Sequence, residues 1–277
     1  MEIEGPVPGL PGAFVRRVAE LPAELAAGKP AGPYAQAVPG ELLLAVPEVG
    51  RFRVRDGTTI EVALEPGADP GVVMLHLQGS ARGALIHQRG DLPLHAATLV
   101  PPGRERAAAI CGARGAGKST LAAELCRRGW TLVADDTTRI SRDAAGPLAW
   151  PSRDSIKLWH DVCRAADLDV SAMERVTAKL DKYYLRVRAR SEPAVLAQVF
   201  ELTFDAAAEF ELQGAPEKMA LLTRHTYRPA QILPLGQAAD HVRIVADVAR
   251  ACRMFRLAGA RRRSAGALAS AVEKVVL

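Results

Sequence analysis

Gly112-Ala113-Arg114-Gly115-Ala116-Gly117-Lys118-Ser119 matches the pattern G-x-x-x-x-G-K-[ST] at every fixed position. Glycines let the backbone curl so that successive N–H groups point at phosphate oxygens. The helix that follows adds its positive N-terminal end. In such a loop Lys118 reaches the β- and γ-phosphates of a nucleotide, and the Ser119 hydroxyl is placed on a magnesium ion. Gly112, Ala113, Arg114, Gly115, Ala116, Gly117, Lys118, Ser119 and Thr120 are therefore the candidate nucleotide-binding residues. Asp135 and Asp136 follow soon after. Beside a bound triphosphate, one carboxylate could hold magnesium and the other could orient or deprotonate an attacking hydroxyl. Ser119 and Asp136 are the candidate metal ligands, and both aspartates stand as candidates for the catalytic carboxylate. The same acidic pair would also serve as a helix cap or a solvated turn.

The elements that must position these residues are legible around them. Ala107-Ala108-Ala109-Ile110-Cys111 is a short apolar run, as expected of a buried parallel strand. Thr120 to Arg128 has helical spacing, with Leu121, Ala122 and Leu125 on one face, and Gly129 as its C-terminal stop. A second apolar run, Trp130 to Ala134, ends in the acidic pair. Strand, loop, helix and strand form one βαβ unit. Its right-handed crossover puts the ends of both strands at one edge of a sheet, where ligands bind in open α/β folds.

Leu94-His95-Ala96-Ala97, the glycine loop through Thr120, and Leu132-Val133-Ala134-Asp135-Asp136 together resemble the HPr kinase/phosphorylase superfamily. In that family a His lies on a strand before the phosphate loop and a Val-Ala-Asp-Asp motif follows it. The resemblance covers about residues 85 to 190. It implies an α/β fold with a P-loop-containing, HPr kinase C-terminal-like (PEP carboxykinase-like) sheet flanked by helices. It also implies ATP and Mg2+ as cofactors and a serine hydroxyl as acceptor. Thr120 stands where the bifunctional enzymes usually carry Glu, and their downstream glycine-rich signature is absent. The chain thus looks like a shorter, HPr kinase-related serine kinase, a group that includes kinases of the C-terminal Ser of lasso peptide precursors. Family relatives include hexamers, so a homo-oligomer is among the expectations.

The resemblance also gives His95 a role, contacting the γ-phosphate or positioning the acceptor hydroxyl; a core histidine satisfied by the backbone is the other reading. In related kinases a basic stretch near Lys179-Leu180-Asp181-Lys182-Tyr183-Tyr184-Leu185-Arg186 faces the transferred phosphate. Lys182 and Arg186, with Lys179, are the corresponding candidates here. A cation there would neutralise charge developing during transfer. A solvated turn before a strand accounts for the same residues.

Length and composition set the outer bounds. A chain of 277 residues, 49% hydrophobic and 24% charged, can bury a full core. No apolar run approaches the ~20 residues of a membrane span, and no basic stretch followed by an apolar core marks a signal peptide. Four cysteines without metal spacing fit a reduced, cytoplasmic protein. The +5 net charge and Arg261-Arg262-Arg263 invite a nucleic-acid reading. Aromatics at 5% are too sparse for a stacking platform; a nucleotide or an acidic peptide partner explains the same surplus, as does a solvated face, which is how the triplet reads.

The rest of the chain divides near residue 90. Residues 1–90 read as a small α+β N-terminal domain. It has a short helical patch near Ala13–Ala27, a hairpin over Arg51–Arg55 and Thr59–Leu64 turning at Asp56-Gly57, and a helix over Asp69–Gln88. Residues 91–277 read as the nucleotide-binding domain. There a helix is expected over Ile156–Ala166, a strand pair at Val199–Phe204 and Phe210–Gln213, and helices over Pro216–Arg224 and Ala238–Arg253. Two functions fit these residues: a kinase moving the γ-phosphate of ATP to a hydroxyl, or a nucleotide-binding switch or scaffold with little chemistry. Paired acids directly after the loop favour the kinase.

Overall fold

The computed structural model describes residues 3–204, 210–258 and 263–276, and the chain forms two compact units of mixed α and β structure. Arg261 and Arg262 of the basic triplet lie outside the described residues.

The first unit takes the residues up to Pro93 together with Thr177–Lys179 and Tyr227–Ile244. Its sheet holds β1 (Gly5–Pro6), β2 (Phe14–Arg17), β3 (Lys29–Pro30), β4 (Ala35–Val38), β5 (Glu41–Val46), β6 (Gly50–Arg55) and β7 (Thr59–Leu64). The strand order is β1-β2-β7-β6-β5-β4-β3. Along β6, Phe52 and Val54 face inward while Arg51, Arg53 and Arg55 face out, the period of two that a one-sided sheet requires. The β6–β7 hairpin turns where expected, with Asp56 (φ 55°) and Gly57 (φ 64°) both left-handed. No helix forms near Ala13–Ala27. Val15 points inward and Phe14 outward, so this stretch pairs as β2, parallel to β7. The expected helix over Asp69–Gln88 is α1 (Pro70–His76) and α2 (Arg82–Gln88), joined by a π-helical turn at Leu77–Ala81. The Asp69 carboxylate starts it by accepting from the Gly71 and Val72 amides.

The second unit takes Leu94–Val176, Leu180–Thr226 and the residues from Val245 on; along the chain, β8 (Leu92–Leu94) leads to β9 (Ala97–Val100), β10 (Ala107–Gly112), α3 (Lys118–Arg127) and β11 (Thr131–Ala134). Then come β12 (Thr138–Ser141), β13 (Leu148–Trp150), β14 (Ser155–Trp159), α4 (His160–Ala165), β15 (Arg175–Thr177) and β16 (Leu180–Arg186). The last elements are β17 (Ala194–Leu202), β18 (Phe210–Leu212), α5 (Ala215–Arg224), α6 (Ala238–Ala251), β19 (Arg253–Leu257) and α7 (Ala265–Val276). The main sheet runs β11-β9-β10-β17-β13-β12, with β19 also on β17 and β18 on β19.

β10 is buried along its whole length, which its small apolar residues permit between two covering layers. β10, β17 and β19 are mutually parallel, and β9 lies between β10 and β11, antiparallel to both. The strands ending at Gly112 and Ala134 therefore point the same way, although β9 separates the two arms of the expected βαβ unit. Leu121 and Leu125 of α3 pack with Ile110, Phe200 and Leu268 into one core, and Arg128 ties the end of that helix to Glu273 of α7 at 2.7 Å.

Two further expectations change. Ile156–Ala166 is not one helix: Ser155–Trp159 is β14, paired antiparallel with β16, and only His160–Ala165 is helical. The late strands do not pair with each other either. β19 lies between them, parallel to β17 and antiparallel to β18.

One carboxylate enters this core. Glu201 on β17 is 3% exposed and accepts from His225 Nε2 at 2.9 Å, Arg224 at 2.7 Å and Arg256 at 3.0 Å. Burial alone would raise its pKa, but the hydrogen bonds from His225 and Arg256 outweigh this and bring it to about 2, from an ordinary 4.5. A folded value below the unfolded one stabilises the protein above the unfolded pKa, and that stabilisation is lost as pH falls toward the folded value. Glu201→Gln is accordingly expected to cost about 3 kcal/mol at pH 7. The gap to the unmodified protein should shrink by about half at pH 3. Urea denaturation of both proteins at the two pH values measures this; an undiminished gap at pH 3 would refute the charge argument.

Candidate functional site

The glycine loop closes between β10 and α3 as its glycines allow. Gly112 has φ 153°, and a Cβ there would lie 2.9 Å from the Leu202 carbonyl oxygen and 3.1 Å from Ala116 Cβ. Gly117, at φ 89°, is the left-handed residue from which α3 starts. The Lys118 ammonium is held at the loop by the carbonyls of Gly112 (2.9 Å) and Ala113 (3.3 Å). Burial lowers its pKa, against the pull of neighbouring Asp136 and Asp135.

β11 delivers the acidic pair to the same edge, and the two carboxylates have different neighbours. Asp135 Oδ1 lies 3.4 Å from the Ser119 hydroxyl, and its Oδ2 accepts the Lys157 amide at 3.0 Å. Asp136 adopts φ 69°, a left-handed conformation that Asp tolerates. Its Oδ2 lies 3.1 Å from Lys157 Nζ and its Oδ1 3.6 Å from His95 Nδ1. Burial, reinforced by the charge of Asp136, pushes the Asp135 carboxyl up to about 6. Burial acts on Asp136 in the same direction, but the Lys157 ammonium overrides it and holds this carboxyl below the usual range. In return Asp136 keeps the Lys157 pKa above its ordinary value despite burial.

His95 lies between β8 and β9 rather than on a strand. Its backbone amide donates to the His225 carbonyl at 2.8 Å. Nδ1 lies 2.7 Å from the Asp136 carbonyl oxygen. A carbonyl can only accept, so Nδ1 carries the proton, and burial, followed by Lys118, lowers the ring's pKa and favours its neutral form. The histidine thus clamps the turn that aims Asp136.

These groups border one cavity of about 530 Å³, lined by His95, Lys118, Ser119, Asp135, Asp136 and Lys182, together with Lys157 and Trp159 from β14. Arg114, Gly115, Gly117 and Thr120 complete the loop's share of the wall. Four cations, Arg114, Lys118, Lys157 and Lys182, face three carboxylates, Asp135, Asp136 and Asp161, a balance suited to an anionic ligand accompanied by a divalent cation. Lys182 Nζ sits 4.4 Å from the centre of the Trp159 ring, which fixes it on this wall.

Of the residues singled out in the sequence, the loop, His95, Asp135, Asp136 and Lys182 converge. Arg186 does not line this cavity. Four residues beyond Lys182 on β16, it is 70% exposed and paired with Asp154 at 2.8 Å. Lys179 is exposed. Lys157 escaped the sequence reading because β14 was read as helix. The alternation Ser155-Ile156-Lys157-Leu158-Trp159 was the available signal, with Ile156 and Leu158 buried on the opposite face.

The residues present fit magnesium. A hydroxyl and a carboxylate 3.4 Å apart, Ser119 and Asp135, are hard oxygen donors. Among the described residues no cluster of three or more His, Cys, Asp or Glu side chains could form an all-protein cage. Among the described residues, no helix is long and apolar enough to cross a membrane.

No family model matches the chain, and no curated protein matches it significantly. Among solved structures it is similar to the Hpr(Ser) kinase/phosphatase from Coxiella burnetii, at 14% identity over 66% of this chain and 93% of that chain. The TM-score is 0.32, a level of likeness that carries no argument.

Proposed function

We propose that this protein is an ATP-dependent phosphotransferase that moves the γ-phosphate to a hydroxyl, the acceptor being a Ser of a peptide or small protein. The observation that carries the reading is the convergence of the Gly112–Ser119 loop, the Asp135–Asp136 pair and Lys157 on one cavity. In this reading the loop amides and Lys118 hold the phosphates. Ser119 and Asp135 hold Mg2+, which when bound neutralises phosphate charge. This assigns to Asp135 the metal role that the sequence alone gave to Asp136.

Asp136 orients the acceptor hydroxyl and receives its proton as the oxygen–phosphorus bond forms; the bond to the bridging oxygen breaks and ADP leaves. A carboxylate of low pKa suits a loose transition state, in which the hydroxyl becomes strongly acidic only late. Lys157 keeps Asp136 ionised, and Lys182 offsets charge on the transferred group. Neutral His95 holds the Asp136 turn.

The test is transfer of label from γ-labelled ATP, with Mg2+, to synthetic Ser peptides. Peptides ending in Ser are compared with peptides carrying it internally, because the sequence resemblance points to a terminal acceptor. Label is expected on Ser. Tight nucleotide binding without transfer to any hydroxyl would instead identify a nucleotide switch.

A further inference from the structure

Beside the phosphate cavity lies a larger one of about 860 Å³. Thr120, Leu158, Asp161 and Val162 line both, so the two adjoin. The larger cavity also carries charge, from Glu124, Arg127, Asp161, Arg186 and Arg188, but adds an aliphatic wall. Its walls include Ala123, Ala165, Leu168, Leu185 and Val187, aliphatic side chains contributed by α3, α4, β16 and their flanks. It follows α3 from Thr120 to Arg127, about 10 Å along the helix axis. We propose that this cavity binds the nucleoside end of the nucleotide, the base lying against the aliphatic walls and the ribose passing Thr120. The proposal rests on the nucleotide-binding reading of the loop.

Three observations favour it. Phosphates fixed at the loop leave the nucleoside within one nucleotide length, and the phosphate cavity itself is ringed by charge, with Trp159 its one aromatic. A planar base is best buried between apolar walls, and this cavity lies within the size range of small-molecule sites. The groups assigned to the acceptor, His95, Asp136 and Lys157, line only the first cavity. In-line transfer requires acceptor and departing ADP on opposite sides of the γ-phosphate. An acceptor peptide therefore belongs on the Asp136 side and the nucleoside on the Thr120 side.

Calorimetry with two probes, ATP and inorganic tripolyphosphate, each with Mg2+, tests this on the full chain. Ala165 is exposed on α4, so Ala165→Trp fills the cavity without disturbing the core. It is expected to weaken ATP at least tenfold and to leave tripolyphosphate within twofold; Ala123→Phe serves as a second filling variant. In the unmodified chain, 8-azido-ATP should photolabel the Leu158–Leu168 segment. Unchanged ATP affinity in both variants overturns the proposal, and so does a rise only in the KM for an acceptor peptide, which would mark the cavity as a peptide groove. Equal affinity of the unmodified chain for ATP and tripolyphosphate overturns it while the phosphate loop stands. Failure to bind either probe removes the loop reading as well.

Discussion

Asp136→Asn is expected to lower phosphoryl transfer about 10³-fold while ATP affinity stays level or tightens. The substitution isolates charge. Asn has nearly the same shape and tolerates the left-handed φ of 69° that this position requires, so the turn clamped by His95 keeps its geometry. What disappears is the acceptor for the hydroxyl proton and the partner of the Lys157 ammonium. Released from that pair, Lys157 presents its full charge to the phosphates, so binding should not suffer. A fall in kcat without a rise in the KM for ATP is therefore the diagnostic pattern. Transfer within tenfold of the unmodified protein would remove Asp136 from the acceptor's side. Lys157→Met should reproduce part of the kcat loss, because Asp136 would lose the cation that opposes its burial.

Much of this cavity's lining was legible in the sequence because a glycine loop leaves a local pattern. A backbone that wraps phosphate needs glycine at fixed offsets, with Lys and Ser at the helix start, so Gly112–Ser119 stood out against any background. The acidic pair was legible for a related reason. Apolar runs on both sides of a helix imply parallel strands, and Asp135-Asp136 closes the second run. The order of strands in the sheet was not legible. β9 enters between β10 and β11, and β19, about fifty residues beyond β17, enters between β17 and β18. β9 folds back on β10 as a local hairpin, but its pairing with β11 and that of β19 with β17 are long-range, and local patterns do not encode them.

Lys157 shows a different kind of failure. Leu158, Val162 and Ala165 follow helical spacing across a boundary where strand β14 becomes helix α4. The period of α4 thus masked the alternation of β14, and with it Lys157, whose ammonium pairs with Asp136 and whose amide donates to Asp135. The Ala13–Ala27 stretch failed in the opposite sense. Its helix-favouring residues are overruled by pairing with β7, which buries Val15. The downstream basic segment reaches the cavity through one residue: Lys182 and Arg186 share one face of β16 but stand about 13 Å apart along it. Lys182, held by Trp159, reaches the cavity; Arg186, at the end of β16, pairs with Asp154.

Lys118→Met is expected to weaken ATP and tripolyphosphate alike, by about a hundredfold, and to reduce transfer about 10³-fold. In the protein the ammonium touches only loop carbonyls, those of Gly112 and Ala113, among its hydrogen-bond partners, so its loss should leave the melting temperature of the ligand-free protein nearly unchanged. The cost falls on ligand binding. At an ATP concentration one hundred times the dissociation constant, binding stabilises the native state by about 2.7 kcal/mol. A hundredfold weaker site at the same concentration retains about 0.4 kcal/mol, so the thermal shift on adding Mg2+ and ATP should all but vanish. This pattern differs from that of Ala165→Trp, which spares tripolyphosphate. In the proposed reading Lys118 acts on the phosphates common to both probes, and Ala165 only on what ATP carries beyond them. An unchanged thermal shift with ATP in Lys118→Met would place the nucleotide somewhere other than this loop, and every role assigned to Asp135, Asp136 and Lys157 would fall with it.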